Sequence, residues 1–129
     1  MGNHGFSMKR FYSALGWLVI AVALAAPARA QSPRDSALER AMTLFTQGVM
    51  LLEQGSAAQA IDPLREAWQL SDHNPVIGER LAEAYYSTRD VAHADQIAAE
   101  VLKANPASLS MLQMKARLAL ARGDIKGAI

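Results

Sequence analysis

The sequence predicts an all-helical fold in which pairs of antiparallel helices repeat along the chain. The main observation is that small and aromatic residues return every 34 residues between Ala41 and Ile129. Residues typical of helix starts and turns recur in the same stretch at similar intervals. A period of this length is typical of stacked units, each of which buries its apolar face only against a neighbour. Three registers share the period: Gly48, Ala82 and Ala116; Ala60, Ala94 and Ala128; and Leu51, Tyr85 and Ala119.

Each predicted helix has a chemical reason to begin where it does. Ser32 is followed by a proline and, three residues on, by Asp35, which together are typical of a capped helix start. This first helix is expected to run to Gln54, where Gly55 ends it and Ser56 caps the second helix. The remaining helices are expected to start at Asn74 with Pro75, at Asp90, at Ser108 and at Asp124.

Pro63 is a local contradiction, because it falls inside the second predicted helix. A proline there removes one backbone hydrogen bond, at a cost of about 3 kcal/mol, and bends the axis. Leu64, Ala67 and Trp68 nevertheless continue the apolar spacing beyond it. We therefore expect a kinked but continuous helix, not two pieces separated by a loop.

The N-terminal residues differ from the rest in composition. Lys9 and Arg10 precede an apolar run of 13 residues, 14–26, and an Ala-Arg-Ala sequence follows at 28–30. A basic start, a short apolar run and small residues at the end predict a secretory signal peptide over residues 1–30. The alternative is an uncleaved membrane anchor, but the run is shorter than the roughly 20 apolar residues of a spanning helix.

The charge balance gives no indication of a nucleic-acid partner. The whole chain has a net charge of +1, and without the three basic residues of the leader the remainder carries −2. Nucleic-acid binding requires a clustered basic face, which the pattern lacks. The sequence contains no cysteine, so neither disulfides nor acylation at a lipoprotein-type cysteine is expected. We expect a protein exported across the inner membrane and located in the periplasm.

The residues at fixed positions of the period resemble the tetratricopeptide repeat family. Its pattern begins with a large residue, and Leu-Gly follows three and four residues later. An aromatic residue lies three residues after the Gly, an Ala lies nine residues after the aromatic residue, and a Pro closes the repeat. The second repeat carries the pattern most fully, at Leu81, Ala82, Tyr85, Ala94 and Pro106. The resemblance implies a right-handed solenoid of helix pairs. It divides the chain into a lead at 31–40, a first repeat at 41–74, a second at 75–108 and an incomplete third at 109–129.

Four positions depart from the family pattern. Gln47 and Lys115 stand where Leu is usual, Gly78 stands where a large residue is usual, and Asp72 replaces the first closing Pro. The third repeat reaches Ile129 before its second helix is complete. Because a solenoid needs a polar cap on its last apolar face, we expect the chain to be a fragment of a longer array or a truncated reading frame.

One face of the first helix in each repeat is predicted to pack inward, and this face contains Leu112, Ala116 and Ala119 in the third repeat. In the family, the next face lines a concave groove that binds partners. The resemblance therefore predicts ten partner-binding residues: Met42, Phe45, Val49, Leu52, Val76, Glu79, Glu83, Tyr86, Gln113 and Arg117. The same face also contains Ser110 and Leu120.

The composition of the predicted groove favours an extended or helical partner segment with apolar anchors and one or two basic side chains. Its first-repeat part is apolar, and Glu79 and Glu83 place two like charges four residues apart. Two alternatives remain open. In the first, the apolar part is covered by residues before Ala41 or by another copy of the chain. In the second, the two glutamates form an ordinary solvated face.

The sequence offers no catalytic or cofactor-binding pattern. His73 and His93 have no second metal ligand three or four residues on, and Asp90 with His93 is a helix-capping spacing. No metal, cofactor or catalysis is therefore expected. The resemblance implies a non-enzymatic protein–protein interaction scaffold of the bacterial cell envelope. Two alternatives are the N-terminal segment of a larger envelope protein, such as a polysaccharide exporter or an exported enzyme, and a self-associating protein.

Overall fold

The computed structural model describes residues 32–123, and these residues form five α-helices and no strand. Each helix packs against the next along the chain, across turns of three or four residues. No helix in the described part has both the length and the apolarity to cross a membrane. The predicted signal peptide and the predicted helix start at Asp124 lie outside the described residues. The helices are α1 (Pro33–Glu53), α2 (Ala57–Leu70), α3 (Pro75–Ser87), α4 (Val91–Ala104) and α5 (Leu109–Ala121).

Four of the predicted helix starts are capped as expected. At α1, Ser32 Oγ accepts from the Asp35 N–H at 3.2 Å, and the Ser32 N–H donates to the Asp35 carboxylate at 3.3 Å. Asn74 and Ser108 accept from backbone N–H groups in their own first turns at 2.9 and 3.4 Å. Asp90 does the same at 3.2 Å. These side chains satisfy amides that otherwise lack a partner inside the helix.

The start of α2 differs from the prediction. Ser56 occupies the N-cap position, but its hydroxyl makes no capping hydrogen bond. The turn is closed by the backbone instead, because the N–H groups of Gly55 and Ser56 donate to Leu52 O at 2.9 Å and Leu51 O at 2.8 Å. This arrangement requires a residue with positive φ, and Gly55 supplies it at 78°. The first turn is therefore fixed by a glycine and not by a side-chain cap.

The second helix is continuous from Ala57 to Leu70 through Pro63, as predicted. Leu64 and Trp68 follow the proline and are buried in the core. Burying large apolar side chains contributes about 1.5–3 kcal/mol each, which offsets the cost of about 3 kcal/mol for an interior proline. Tertiary packing therefore holds the helix together across the proline.

The predicted inward face of the third repeat is only partly buried, and its Ala116 and Ala119 are half-buried. Leu112 is 48% exposed, whereas Met111 and Leu118 are buried. Met111 and Leu118 occupy the positions that Ile77 and Ala84 hold one period earlier, and those two residues are buried as well. Among the described helices, α5 packs mainly against α4. In the second repeat, α4 covers the inward face of α3. In the third repeat, the helix predicted to cover Leu112 begins after Gly123, outside the described residues.

The predicted inward face is more fully buried in the first two repeats. Ala82 and Tyr85 are buried in the second, and Gly48 is buried in the first. Leu51 is half-buried, but Gln47 is exposed and lies outside the core. A polar residue is tolerated at this position because nothing in the described part covers it.

Two departures from the family pattern have structural causes. A Cβ atom at Gly78 would lie 2.5 Å from Val101 Cγ2 and 3.0 Å from Trp68 Nε1, so those two side chains already fill the space of a large residue. Asp72 has a φ of 54°, in the left-handed region. Proline is restricted to a φ near −65° and is excluded there.

Candidate partner-binding cleft

A cleft of about 540 Å³ lies between α3 and α5. These helices occupy equivalent places in the second and third repeats, so their side chains recur at the same heights along the cleft. Eleven residues form its walls: Val76, Glu79, Arg80, Glu83, Tyr86, Ser87, Ser110, Met111, Gln113, Met114 and Arg117. Six of the ten predicted groove residues are among them: Val76, Glu79, Glu83, Tyr86, Gln113 and Arg117.

Besides Ser110, four residues of the cleft are not among the ten predicted partner-binding residues. Arg80 and Ser87 lie four residues after Val76 and Glu83, so helical spacing along α3 was a signal for both. Met111 and Met114 line the cleft while being largely buried in the core. No sequence signal separates such a dual role from ordinary packing, because methionine fills cores and adaptable surfaces alike.

The four predicted groove residues of the first repeat lie on α1, outside this cleft. Met42 is 62% exposed, whereas Phe45 and Leu52 are partly buried against the core and Val49 is half-buried. Residues 33–40 are the first turns of the same helix, so they continue its axis and do not fold over this patch. The rest of that alternative, cover by residues 1–31 or by another copy of the chain, lies outside the described residues and stays open.

The two glutamates of the cleft already have intramolecular partners. Glu79 Oε1 accepts a hydrogen bond of 2.5 Å from the hydroxyl of Ser108, which is buried at the start of α5. Glu83 Oε2 lies 2.9 Å from Arg80 Nη1. Because both members of the second pair are about half exposed, the pair adds little stability, but it neutralises the charge locally. The predicted basic partner would therefore contact two glutamates that already have hydrogen-bonding partners within the protein.

The cations of α5 divide between two faces. Lys115 and Arg122 bind Asp95 of α4 at 2.5 and 3.2 Å. The hydrogen bond from the Lys115 ammonium holds the pKa of Asp95 below its ordinary value of 3.8 against the opposing effect of burial, and the Arg122 guanidinium lowers that pKa by a smaller amount. This ion pair explains why a lysine replaces the usual leucine at position 115. Arg117, on the cleft face, has neither a hydrogen bond nor an ion pair within residues 32–123.

A smaller cavity of about 320 Å³ adjoins one end of the cleft and shares two of its residues, Tyr86 and Ser87. Its other lining residues are Arg89, Val91 and Ala121. Arg89 has a φ of 64°, which is disfavoured for a residue with a Cβ atom. The turn before α4 therefore presents an exposed guanidinium at the end of the cleft.

A third cavity, of about 490 Å³, lies on the outer face of α1. Thr43 and Met50 line it, and both are exposed. One period later, Ile77 and Ala84 are buried against the preceding helix pair. The outer face of α1 is therefore the equivalent of a packing surface, without a packing partner among the described residues.

The histidines take structural positions. The Asp90 carboxylate accepts from the His93 N–H at 3.2 Å and lies 2.7 Å from His93 Nδ1, so the predicted capping role is confirmed. The His93 ring also stacks on Tyr85, with ring centroids 5.0 Å apart. Within residues 32–123 no group of three histidine or acidic side chains is arranged to hold a metal ion.

The period, the helix pairs and the cleft between equivalent helices define a helical-repeat protein. The sequence matches the family model of the tetratricopeptide repeat over residues 51–118, more than half of the chain. The chain therefore belongs to the tetratricopeptide repeat family. No curated protein sequence matches it. Repeats of this family mediate protein–protein interactions, which makes scaffolding the function class that the fold supports.

Proposed function

We propose that this chain is an exported, non-catalytic scaffold of the bacterial cell envelope that binds a segment of a partner protein in the cleft between α3 and α5. The observation that carries the proposal is the convergence of six residues on one cleft of about 540 Å³. Those residues were selected from the sequence by their place in the repeat. A cleft of this size holds a few side chains of a peptide.

The walls of the cleft suit a peptide better than a reaction. Val76 and the half-buried Tyr86 offer apolar contact, and Met111 and Met114 supply adaptable side chains beneath them. Gln113 offers an exposed amide for hydrogen bonds to a backbone. The carboxylates of the cleft are already bonded within the protein, so the proposal assigns them no acid–base role.

The location is proposed from the N-terminal residues alone. The basic pair at positions 9 and 10, the apolar run at 14–26 and the small residues at 28–30 favour export through a cleaved leader. The partner is then expected in the periplasm or at a membrane facing it. Membrane contact is expected only through the leader or through partners.

Site-specific photo-crosslinking tests the proposal in a Gram-negative host that expresses the full chain. A photoreactive amino acid at Gln113 lies in the cleft, and the matched control position is Gln69, which is exposed on α2 outside the cleft. We expect one or a few discrete adducts from Gln113 in the periplasmic fraction and none from Gln69. Equal adducts from both positions would contradict the cleft, and an unprocessed chain confined to the cytoplasm would contradict export.

A further inference from the structure

We propose that a second copy of this chain docks on the uncovered face of α5, so that two α5 helices pair in antiparallel orientation about a twofold axis. The docking face is the α5 stripe, a set of five apolar residues: Leu109, Leu112, Ala116, Ala119 and Leu120. None of the five lines the cleft, so the inference goes beyond the proposed function and concerns a different face of the helix.

The α5 stripe is apolar and open to solvent. Leu109, Leu112 and Leu120 are 67%, 48% and 61% exposed, and the two alanines are half-buried. At 3.6 residues per turn, the five side chains fall within an arc of about 100°. Met111 and Leu118 lie on the other side of the helix and are buried in the core. The helix is thus apolar on two sides, and only one of them belongs to the core of the described residues.

The same face is a packing surface in the first two repeats. Ala82 and Gly48 stand one and two periods before Ala116, and both are buried. Tyr85, one period before Ala119, is buried too. The α5 stripe therefore has the position and the composition of a helix-packing face. Docking of a second helix there would remove its leucines from water.

The sizes of its side chains make the α5 stripe complementary to itself. In an antiparallel pair, a contact between Leu112 and Ala116 of the second copy also brings Leu109 to Ala119 of that copy. A twofold axis repeats each contact, so every leucine faces an alanine. The same kind of contact exists within one chain, where Gly48 lies against the side chain of Leu64 on the paired helix.

The charges beside the α5 stripe do not oppose this pairing. All five of its residues are uncharged. Lys115 and Arg122 are held on the α4 side of the helix, where both bind Asp95 of the same chain at 2.5 and 3.2 Å. Two copies can therefore meet along the stripe without bringing like charges into contact. A neutral surface that complements itself favours a second copy over a partner selected by charge.

One helix pair makes a small interface. The 13 residues of α5 span about 20 Å. A contact of this length buries less than the roughly 1,200 Å² of a stable interface, so we expect a reversible dimer with a Kd of about 10–100 μM. Such a dimer joins two clefts, because each cleft lies on a neighbouring face of α5. A partner with two binding segments would then gain affinity by occupying both clefts.

Sedimentation equilibrium of the purified full-length chain tests the association. We expect a monomer–dimer equilibrium for the wild type between micromolar and millimolar concentration. Leu112→Ala leaves a gap opposite Ala116 of the second copy, and Ala116→Leu places two leucines in one space, so each change should raise the Kd at least fivefold. The double variant Leu112→Ala/Ala116→Leu exchanges the two sizes and should return the Kd to within about twofold of the wild type.

A charge substitution separates association from folding. Leu112→Glu should raise the Kd at least tenfold, because dimerisation would bury two carboxylates. Its thermal midpoint at micromolar concentration should stay near that of the wild type, since Leu112 is about half exposed in one chain. Gln69→Glu is the matched control on the exposed surface of α2, and its Kd should be unchanged. All variants keep residues 1–31, so a difference between them is assigned to the substituted residue.

Disulfide trapping tests the antiparallel register. The natural sequence has no cysteine, so each introduced thiol is unique in its chain. Leu109→Cys and Ala119→Cys chains with different tags should form a mixed disulfide when they are oxidised together. Neither should pair with itself, because two copies of Leu109 would lie about 15 Å apart along the axis and a disulfide spans about 6 Å between Cα atoms.

Four results would overturn the inference. The first is a wild-type Kd in Leu112→Glu, and the second is a double variant that has the wild-type thermal midpoint but does not regain association. The third is a disulfide of Leu109→Cys with itself, which indicates parallel pairing. The fourth is a wild-type chain that stays monomeric at millimolar concentration. Slow maleimide labelling of Leu112→Cys in such a monomer would identify residues 124–129 as the cover of the stripe.

Discussion

The helix pairs α1–α2 and α3–α4 close their turns with the same backbone hydrogen bonds but with different residues. The N–H groups of Ser56 and Asp90 donate to equivalent carbonyls of the preceding helix at 2.8 and 2.9 Å. The residue with positive φ is Gly55 in the first turn and Arg89 in the second. The first turn lacks a side-chain cap, whereas the second is capped by the Asp90 carboxylate. The backbone thus sets the turn, and side chains adjust its stability.

The contacts between the paired helices differ in the same way. A Cβ atom at Gly48 would overlap the side chain of Leu64, which is fully buried. The equivalent positions in the second pair are Ala82 and Ala98, and both are fully buried too. One pair combines a glycine with a leucine, and the other combines two alanines. The size of the side chain at one repeat position therefore depends on the size of the side chain that it faces, because the interior is close-packed.

The largest expected effect comes from filling the glycine of the first pair. Gly48→Ala should destabilise the protein, because overpacking costs about 1–3 kcal/mol and exceeds the gain of about 1 kcal/mol in helix propensity. In a Leu64→Ala background the overlap is gone, so the same change should stabilise the protein by about 1 kcal/mol. Urea unfolding followed by circular dichroism measures all four proteins, in a stabilising osmolyte that helps to keep Leu64→Ala folded.

The control for this cycle is the second pair. Ala82→Gly removes a buried methyl group and lowers helix propensity, and it should cost about 1–2 kcal/mol without any overlap to relieve. If Gly48→Ala changes the free energy of unfolding in the same direction with and without Leu64, then overlap with Leu64 is not the reason for a glycine at position 48.

The next effect concerns the residue with positive φ. Gly55→Arg should destabilise the protein by about 1 kcal/mol, and Arg89→Gly should stabilise it by a similar amount, because a Cβ atom is disfavoured in this conformation. Thermal unfolding measures both. Arg89→Ala is the matched control, since it removes the guanidinium but keeps the Cβ atom, and its stability should stay near that of the wild type. An equal gain in Arg89→Ala would assign the effect to the side chain.

Much of the fold was predictable because its signals are local. The 34-residue period located the helix pairs. Asn74 and Ser108 marked helix starts through capping, which involves only neighbouring residues. The failures were not local. Leu112 follows the inward-facing spacing, but its exposure depends on which helix covers it, and the positive φ of Arg89 follows from the turn and not from the residue type.

The candidate site shows the same limit. Its positions were predictable, because repeat equivalence brings residues of α3 and α5 together around one cleft. The hydrogen-bond partners of its glutamates were not. Glu79 accepts from Ser108, 29 residues away, and no pattern in the sequence predicts that contact. The sequence predicted two glutamates available to a partner, whereas the structure also shows Glu83 paired with Arg80.

The smallest expected effect comes from the caps of the two turns. Asp90→Ala should lower the thermal midpoint, because it removes the acceptor of the His93 N–H. Ser56→Ala should leave the midpoint nearly unchanged, because the Ser56 hydroxyl makes no capping bond. Thermal unfolding of the two variants beside the wild type measures the difference between the turns. Equal losses in both variants would mean that the cap of the second turn adds nothing specific.

The pH dependence of the Asp90 effect gives the sharper test. The His93 N–H, and then the His93 side chain, hold the pKa of Asp90 below its ordinary value of 3.8. The unfolded chain therefore binds more protons here than the folded chain does, so the stabilisation is complete above pH 3.8 and is lost as the pH falls through the lower folded value. The gap in thermal midpoint between the wild type and Asp90→Ala should be constant just above this range and close below it, while the Ser56→Ala gap stays near zero throughout. A gap that persists unchanged to the lowest pH would show that the Asp90 carboxylate is not the group that stabilises the turn.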